Sequence, residues 1–329
     1  MQAFVTGGTG FVGSHLVEEL LRRGFAEVRC LVRSEPKWLS EVERRPAVRF
    51  VRGDLFSPEA LREGVAGADH VYHVAGLTRA ETQEALDRAN VEGTLNLLGA
   101  VEAAAPDVRK VLVTSSLAAV GPSDGKALTE DAPLRPLSRY GRSKAKMEEA
   151  VRERFANFPF VIARPSAVYG PREADIFTMI EAADRRRVFP IVGQGRRPQL
   201  SLVHVRDVVR GMADAASAEG TAGRTYFLGS EIYYAWEQVR NAVLEALGHG
   251  ALKVNVPRTL VTPVGAVVEG VGRLVGAYPP LNREKAREAK HEWLCSVERA
   301  KRDFDYRQTV GLREGMAETV RWYRERGWL

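Results

Sequence analysis

Thr6-Gly7-Gly8-Thr9-Gly10-Phe11-Val12-Gly13 is the stretch that decides how this chain folds. It satisfies Gly-x-x-Gly-x-x-Gly from Gly7 and Gly-x-Gly-x-x-Gly from Gly8. The apolar run Ala3–Thr6 in front of it reads as a strand. Behind it, Ser14–Arg23 carries Leu16, Leu20 and Leu21 at helical spacing. Glycines at a strand-to-helix junction permit a tight turn, close approach of backbone to a pyrophosphate, and close contact between helix and sheet. The helix that follows turns its positive end toward the phosphates. The stretch therefore reads as a dinucleotide-binding turn, with Gly7, Gly10, Phe11, Val12 and Gly13 around the phosphates.

Outward from that turn the strand–helix rhythm repeats. Candidate strands are Val28–Val32, Val48–Val51, His70–Val74, Val111–Thr114 and Val161–Ala163. Helical patterns lie between them at Pro58–Gly64, Asn90–Ala104 and Tyr140–Phe155. Repeated β–α units imply a parallel sheet with helices on both faces, and right-handed crossovers make it a doubly wound α/β fold of the Rossmann kind. After Pro165 the pattern changes. Val168–Arg172 and Gly193–Pro198 read as loops, Asp207–Ala216 as a helix and Thr225–Leu228 as a strand. From Ser230 helices dominate, at Trp236–Leu247, Leu260–Val275, Val297–Asp303 and Leu312–Arg324. The expectation is a dinucleotide-binding domain of residues 1–165 plus 206–229. A smaller, mainly C-terminal α/β lobe for substrate, residues 166–205 plus 230–329, completes it.

Composition narrows the class. The chain has 329 residues, 45% of them hydrophobic and 27% charged, which is ordinary for a globular protein and argues against disorder. Its net charge of +6 is small for this length and comes without a dense basic tract or interleaved aromatics, so no nucleic-acid partner is expected. Arg185-Arg186-Arg187 reads as a solvated face. The longest suspicious apolar stretch, Thr259–Val268, is bounded by Arg258 and Glu269 and interrupted by Pro263. A span needs about 20 apolar residues, so none is expected. Cys30 and Cys295 suit a reducing compartment, and the chain opens on a strand rather than a signal peptide, so a cytoplasmic location is expected. No metal site is expected.

The choice of dinucleotide turns on the end of the second strand. NAD-binding versions place an acid there to bond the ribose 2′-hydroxyl. Here Val28-Arg29-Cys30-Leu31-Val32 runs into Arg33-Ser34, which suits a 2′-phosphate, with Lys37 to assist. The local argument favours NADP(H), while Glu35 keeps NAD(H) possible.

Two further segments carry chemistry. Tyr140 and Lys144 share a helix face at i, i+4. An ammonium near a phenol stabilises the phenolate, and lowering its pKa by about 3 pH units takes about 4 kcal/mol. Val111-Leu112-Val113-Thr114-Ser115-Ser116 is an apolar strand that delivers hydroxyls to the carboxyl edge of the sheet, where ligands bind in open α/β folds. Ser116 is placed to hold a substrate oxygen while Tyr140 transfers a proton, and the adjacent Ser115 leaves that register open. His73 reads as a packed strand residue rather than a base.

Together these pieces resemble the extended short-chain dehydrogenase/reductase superfamily. The resemblance runs through Thr6–Gly13, Asp54-Leu55, Val71–Gly76, Asn90–Thr94, Thr114–Ser116, Tyr140–Lys144 and Arg164–Pro171. It implies catalytic Ser116, Tyr140 and Lys144, with Lys144 also on the cofactor ribose. It implies Asp54 against adenine, with Leu55 beside it. Val74, Ala75, Gly76 and Ser115 would line the cofactor, and Pro165 and Val168 would flank the nicotinamide. It also implies a homodimer through the helices at Asn90–Ala104 and Tyr140–Phe155.

Within the superfamily the segment after Ser116, Leu117-Ala118-Ala119-Val120-Gly121, lacks the carboxylate that eliminating water requires. The loop Gly193–Pro198 is not followed by the arginine typical of nucleotide-sugar epimerases. Val28–Arg33 and Ser115–Val120 look more like the dihydroflavonol reductase and 3β-hydroxysteroid dehydrogenase branch. The expected function is reversible hydride transfer between nicotinamide and a small-molecule carbonyl or alcohol. A nucleotide-sugar epimerase with tightly bound NAD is the alternative. A non-catalytic NADP-binding sensor or assembly protein is the third reading, disfavoured because Tyr140 and Lys144 are both kept.

Overall fold

The computed structural model describes residues 1–33, 38, 45–274 and 283–329, with the side chains of all of these except 271–274. Ser34, Glu35 and Lys37, and the Thr259–Tyr278 stretch beyond Leu274, lie outside the described residues. In chain order the first elements are β1 (Gln2–Thr6), α1 (Phe11–Arg22), β2 (Glu27–Val32), β3 (Val48–Arg52), α2 (Pro58–Val65) and β4 (His70–His73). Then come α3 (Gln83–Asp87), a π-helical turn at Arg88–Glu92, α4 (Gly93–Ala104), β5 (Lys110–Thr114), α5 (Leu117–Val120), α6 (Arg139–Arg154) and β6 (Phe160–Pro165). The remainder is β7 (Ala167–Tyr169), α7 (Asp175–Arg185), β8 (Val188–Val192), β9 (Gln199–His204), α8 (Val205–Ser217), β10 (Thr225–Leu228), β11 (Tyr233–Ala235), α9 (Trp236–Leu247) and β12 (Leu252–Val256). Helices α10 (Arg258–Leu274), α11 (Arg283–Glu288), α12 (Glu298–Phe304) and α13 (Leu312–Glu325) end the chain.

Seven strands form one parallel sheet in the order β10-β6-β5-β4-β1-β2-β3. Alternating side chains supply its two cores. Ala3, Val5, Tyr72 and Leu112 pack on one face with Leu16 and Leu20 of α1 and Val208 and Met212 of α8. Phe4, Val71, Val111 and Val113 pack on the other with Leu61 of α2, Leu97 and Val101 of α4 and Met147 of α6. The strand order reverses between β1 and β4, which opens the crevice that receives ligands in such sheets. The glycine turn leaves β1 at that crevice and Val74–Gly76 leave β4 there.

Segments on both sides of β10 build a three-stranded sheet, β11-β9-β7, and a two-stranded one, β12-β8. A third core of Phe189, Leu202, Val239, Val243, Met316 and Tyr323 joins them to α9 and α13. The sequence pattern differs from the structure in a few places. Val168 lies in a strand, not a loop, because β7 pairs in parallel with β9 at Val168 and Val203. The first helix begins at Phe11 rather than Ser14, since Ser14 N already donates to Gly10 O at 3.0 Å. Cys30 and Cys295 are buried and free, and burial pushes both thiols up to about 12. Among the described residues no helix is long and apolar enough to cross a membrane.

Candidate active site

The glycine turn is shaped by close approach. Gly7 has φ of 75°, and a Cβ there would lie 2.5 Å from the backbone nitrogen of Ala75. A Cβ on Gly13 would lie 2.0 Å from the Gly7 carbonyl oxygen. Helix α1 starts at Gly10 with no side-chain cap and no acid in its first turn, so the first-turn N–H groups of Phe11, Val12 and Gly13 face outward as anion donors. These features fit a dinucleotide pyrophosphate. Arg172 closes over the same helix: its guanidinium donates to Ser14 Oγ at 3.0 Å and to Glu18 Oε1 at 2.5 Å.

At the far end of the crevice, Asp54 Oδ1 accepts from Phe56 N at 2.9 Å and from Ser57 Oγ at 2.8 Å, fixing the start of α2. Those hydrogen bonds, with the charges of Arg33 and Arg88, hold its carboxyl below the usual range. The charges of Arg33 and Arg88 both act on Asp54, and the Arg88 guanidinium lies 4.7 Å over the Phe56 ring. Arg88 was not singled out in the sequence; it sits in the π-helical turn, which no motif marks. Leu55 is buried against Gly93 of α4.

The end of β4 is strapped in place by its neighbours. His73 is fully buried, hydrogen-bonded to Thr6 Oγ1 at 2.7 Å and Thr94 Oγ1 at 2.8 Å, and burial with the Lys144 charge lowers it to about 3. It is a packed strand residue. Asn90 Oδ1 accepts from Leu77 N at 2.8 Å, while its Nδ2 donates to Leu77 O and to Ser143 Oγ, both at 2.9 Å. It thus ties the segment after Gly76 to α6. Gly76 is required beside it, because a Cβ would lie 2.8 Å from Asn90 Oδ1 and 3.4 Å from Lys144 Nζ.

Helix α6 delivers Tyr140 and Lys144. Ser138 caps it, its Oγ accepting from Gly141 N at 3.2 Å. Glu284 of α11 reaches the same end, its Oε1 accepting from Arg139 N at 3.1 Å. The Lys144 ammonium donates to the Thr114 carbonyl at 2.7 Å, and burial, opposed by the Glu148 charge, lowers it to about 8. Burial also raises the Tyr140 phenol above its ordinary value. A hydrogen bond from Ser116 and the positive charge of Lys285 partly offset that rise, and Glu288 adds to it.

The two adjacent serines part company. Ser115 Oγ is buried and donates to Glu148 Oε1 at 2.5 Å. Glu148 in turn accepts from Arg164 Nε at 2.8 Å and Nη2 at 2.7 Å. Ser116 caps the short α5, accepting from Ala118 N at 3.1 Å, and is the serine that meets Tyr140. Pro165 ends β6 and Val168 lies in β7, at the same carboxyl edge. Two hydroxyls there, Thr114 Oγ1 and Ser166 Oγ, are buried without a hydrogen-bond partner.

The Tyr140 side chain lines a small cavity with Thr78, Arg79, Glu284, Lys285 and Glu288. Lys285 pairs with Glu288 at 2.9 Å, and Arg79 pairs with Asp175 at 3.2 Å. The cation facing Tyr140 is therefore supplied by the C-terminal part of the chain, at a position that charged Arg283–Glu288 gave no pattern to mark.

Comparison with known proteins agrees with this geometry. A model of the NAD dependent epimerase/dehydratase family matches residues 3–229. The chain is 33% identical to a ceramide reductase of Caulobacter vibrioides, across 99% of this chain and 95% of the relative. It is 28% identical to the human sterol-4-alpha-carboxylate 3-dehydrogenase, decarboxylating, across 97% of this chain and 87% of the relative. The structure superposes with a TM-score of 0.82 on DesIV, a dTDP-glucose 4,6-dehydratase of Streptomyces venezuelae solved with NAD bound, at 27% identity over 100% of this chain and 98% of that one.

Proposed function

This chain belongs to the NAD dependent epimerase/dehydratase family and is an enzyme of the extended short-chain dehydrogenase/reductase type, and from that premise we propose that it is an NADP(H)-dependent reductase or dehydrogenase of a lipophilic carbonyl or alcohol. The observation that carries the reading is the convergence at the carboxyl edge of the sheet of Tyr140, which lines the cavity, Ser116, which caps α5 directly after β5, and buried Lys144, one turn along α6 from Tyr140. Gly7, Gly10, Phe11, Val12 and Gly13 would hold the pyrophosphate. Asp54 and Leu55 would border the adenine, Val74 to Gly76 the middle of the cofactor, and Pro165 and Val168 the nicotinamide. Bound there, the nicotinamide supplies or accepts the hydride.

The chain's own residues manage the proton. Ser116 donates to the substrate oxygen and orients its carbonyl. Tyr140 gives its proton to that oxygen as reduction builds negative charge on it, and takes it back in oxidation. The Lys285 charge favours the phenolate that this transfer leaves. Lys144 holds the Thr114 carbonyl and is near enough to the Gly76 backbone to meet a ribose. Ser115 serves by fixing Glu148 and Arg164 beneath the site.

Several observations separate this reading from a dehydratase or an epimerase. Helix α5, directly after Ser116, is Leu-Ala-Ala-Val and offers no acid for elimination. Arg33 at the end of β2 and Arg88, whose charges both act on Asp54, suit a 2′-phosphate. The named substrates of the two relatives, a ceramide and a sterol carboxylate, are lipids. Residues 166–205 and 230–329 would shape the substrate side, and α4 and α6 would pair two copies.

Purification followed by cofactor exchange tests the proposal. The protein is expected to release its dinucleotide and to prefer NADPH, and Arg33→Asp is expected to reverse the preference toward NADH. Stoichiometric NAD that survives dialysis and unfolds with the protein would instead identify an epimerase.

A further inference from the structure

Five of the nine large hydrophobic side chains that stand exposed among the described residues fall between positions 252 and 267. Leu252 is 68% exposed, Val254 37%, Leu260 53%, Val264 45% and Val267 66%. Surface hydrophobics scattered singly are ordinary, but this stretch of chain concentrates them, and exposed apolar patches mark interaction sites. The geometry of the two elements explains the grouping. In β12, Leu252 and Val254 share the face that Lys253 does not occupy. Helix α10 buries Val261, Gly265 and Glu269 at i, i+4 and i+8. That leaves Leu260, Val264 and Val267, at i, i+4 and i+7, on the outer side. The helix is amphipathic with an apolar side turned to water.

We propose that this face, Leu252 to Val267, seats the enzyme on the surface of a membrane containing anionic lipid. Its charge is complementary to such a surface. From Leu252 to Val268 the chain has Arg258, Lys253, which is paired with Glu237 at 2.9 Å, and no acid. The first acid, Glu269, is turned inward and accepts from Arg283 N at 3.0 Å. The Gly193–Pro198 turn, which bears Arg196 and Arg197, reaches the start of α10, where a Cβ on Gly193 would lie 3.8 Å from Arg258 Nε. Apolar side chains flanked by cations are the composition of helices that lie in a bilayer interface.

The face is also joined to the catalytic cavity. Helix α10 packs on α11, and α11 contributes Glu284, Lys285 and Glu288 to the wall opposite Tyr140. A lipid lifted from the bilayer at α10 would enter beside that wall. Docking itself stands on the exposed side chains, and rests on the reductase reading only for the purpose it would serve.

Co-sedimentation of the full chain with phosphatidylcholine vesicles, with and without phosphatidylglycerol, tests the docking. Binding is expected to the anionic vesicles, to weaken as salt rises, and to fall about a hundredfold in Val264→Glu/Val267→Glu, as two valine side chains lose their burial. Leu252→Glu, on β12 rather than α10, is expected to weaken binding without touching the helix. NADPH binding of each variant reports that it is folded. Absence of wild-type binding, or equal binding by the variants, overturns the proposal. So does a wild-type dimer in vesicle-free solution that the double variant splits, which would assign the face to a second copy of the chain. Turnover of a water-soluble ketone is measured separately, so a failed reductase assay leaves the docking result standing.

Discussion

The cavity around Tyr140 has two walls, and they are held by different means. The wall belonging to the large sheet is backed by buried, paired polar groups: His73 lies between Thr6 and Thr94, Asn90 between Leu77 and Ser143, and Glu148 joins Ser115 to Arg164. The wall from Thr78–Ala80 and α11 is held by accessible ion pairs, one of them to α7. Glu284 and Arg139 meet at 3.2 Å, Lys285 and Glu288 at 2.9 Å, and Arg79 and Asp175 at 3.2 Å, and none of the three pairs is fully buried. A buried pair that loses one partner leaves a charge stranded, at a cost of about 3–5 kcal/mol. An exposed pair contributes about 1 kcal/mol or less. The sheet-side wall is thus fixed by the fold, while the opposite wall is free to adjust.

The sharpest way to break that contrast is Glu148→Ala. It strands Arg164 beneath the site and removes the partner of Ser115, and is expected to destabilise the protein by about 3–5 kcal/mol, read as a fall in the denaturant midpoint. Burial raises the Glu148 carboxyl, but the hydrogen bond and charge of Arg164, with Ser115 and Arg152, outweigh it and hold the group below 4.5. Its contribution is therefore present above the ordinary glutamate pKa and lost as pH falls through the lower folded value. The loss on substitution should accordingly shrink in acid. A destabilisation independent of pH would remove the charge from the explanation.

Lys285→Met sharpens the comparison from the other wall. Removing the cation near Tyr140 raises the phenol further, so the pH at which alcohol oxidation reaches half its maximum should move up, with stability nearly unchanged. An unmoved pH profile would mean that Lys285 is too far or too screened to act on Tyr140. The smallest effect is expected from Glu284→Gln, which weakens one accessible tie to Arg139: about 1 kcal/mol or less, diminishing as salt rises. A loss of several kcal/mol there would show that the outer wall is as rigidly built as the inner one.

The same contrast governed what could be read from the sequence. The sheet strands β1, β2, β4 and β5 are apolar runs bounded by turn residues, and Gly7–Gly13, Tyr140 and Lys144 sit at fixed offsets from them, so the parallel sheet and the candidate site were legible together. Asn90 lay inside a stretch that was noticed, but its role depends on Leu77 and Ser143, which only the folded chain brings near. Val188–Val192 and Leu252–Val256 are strands because they pair with each other, and neither pattern names its distant partner. Arg283–Glu288 is six residues with one small apolar side chain, Ala286, so nothing in its periodicity announces a helix or places Lys285 opposite Tyr140. Leu260, Val264 and Val267 belong to a periodic apolar helix, and periodicity alone does not say which side of a helix meets the protein.

In the proposed reaction Tyr140 carries the proton for a hydride transfer whose cofactor would lie along the same crevice. Steady-state turnover of Tyr140→Phe, measured beside NADPH affinity by fluorescence titration, tests it most directly. The account predicts a loss of about 10²-fold or more in turnover with the dinucleotide affinity of the unaltered protein. Turnover at the unaltered rate would contradict it.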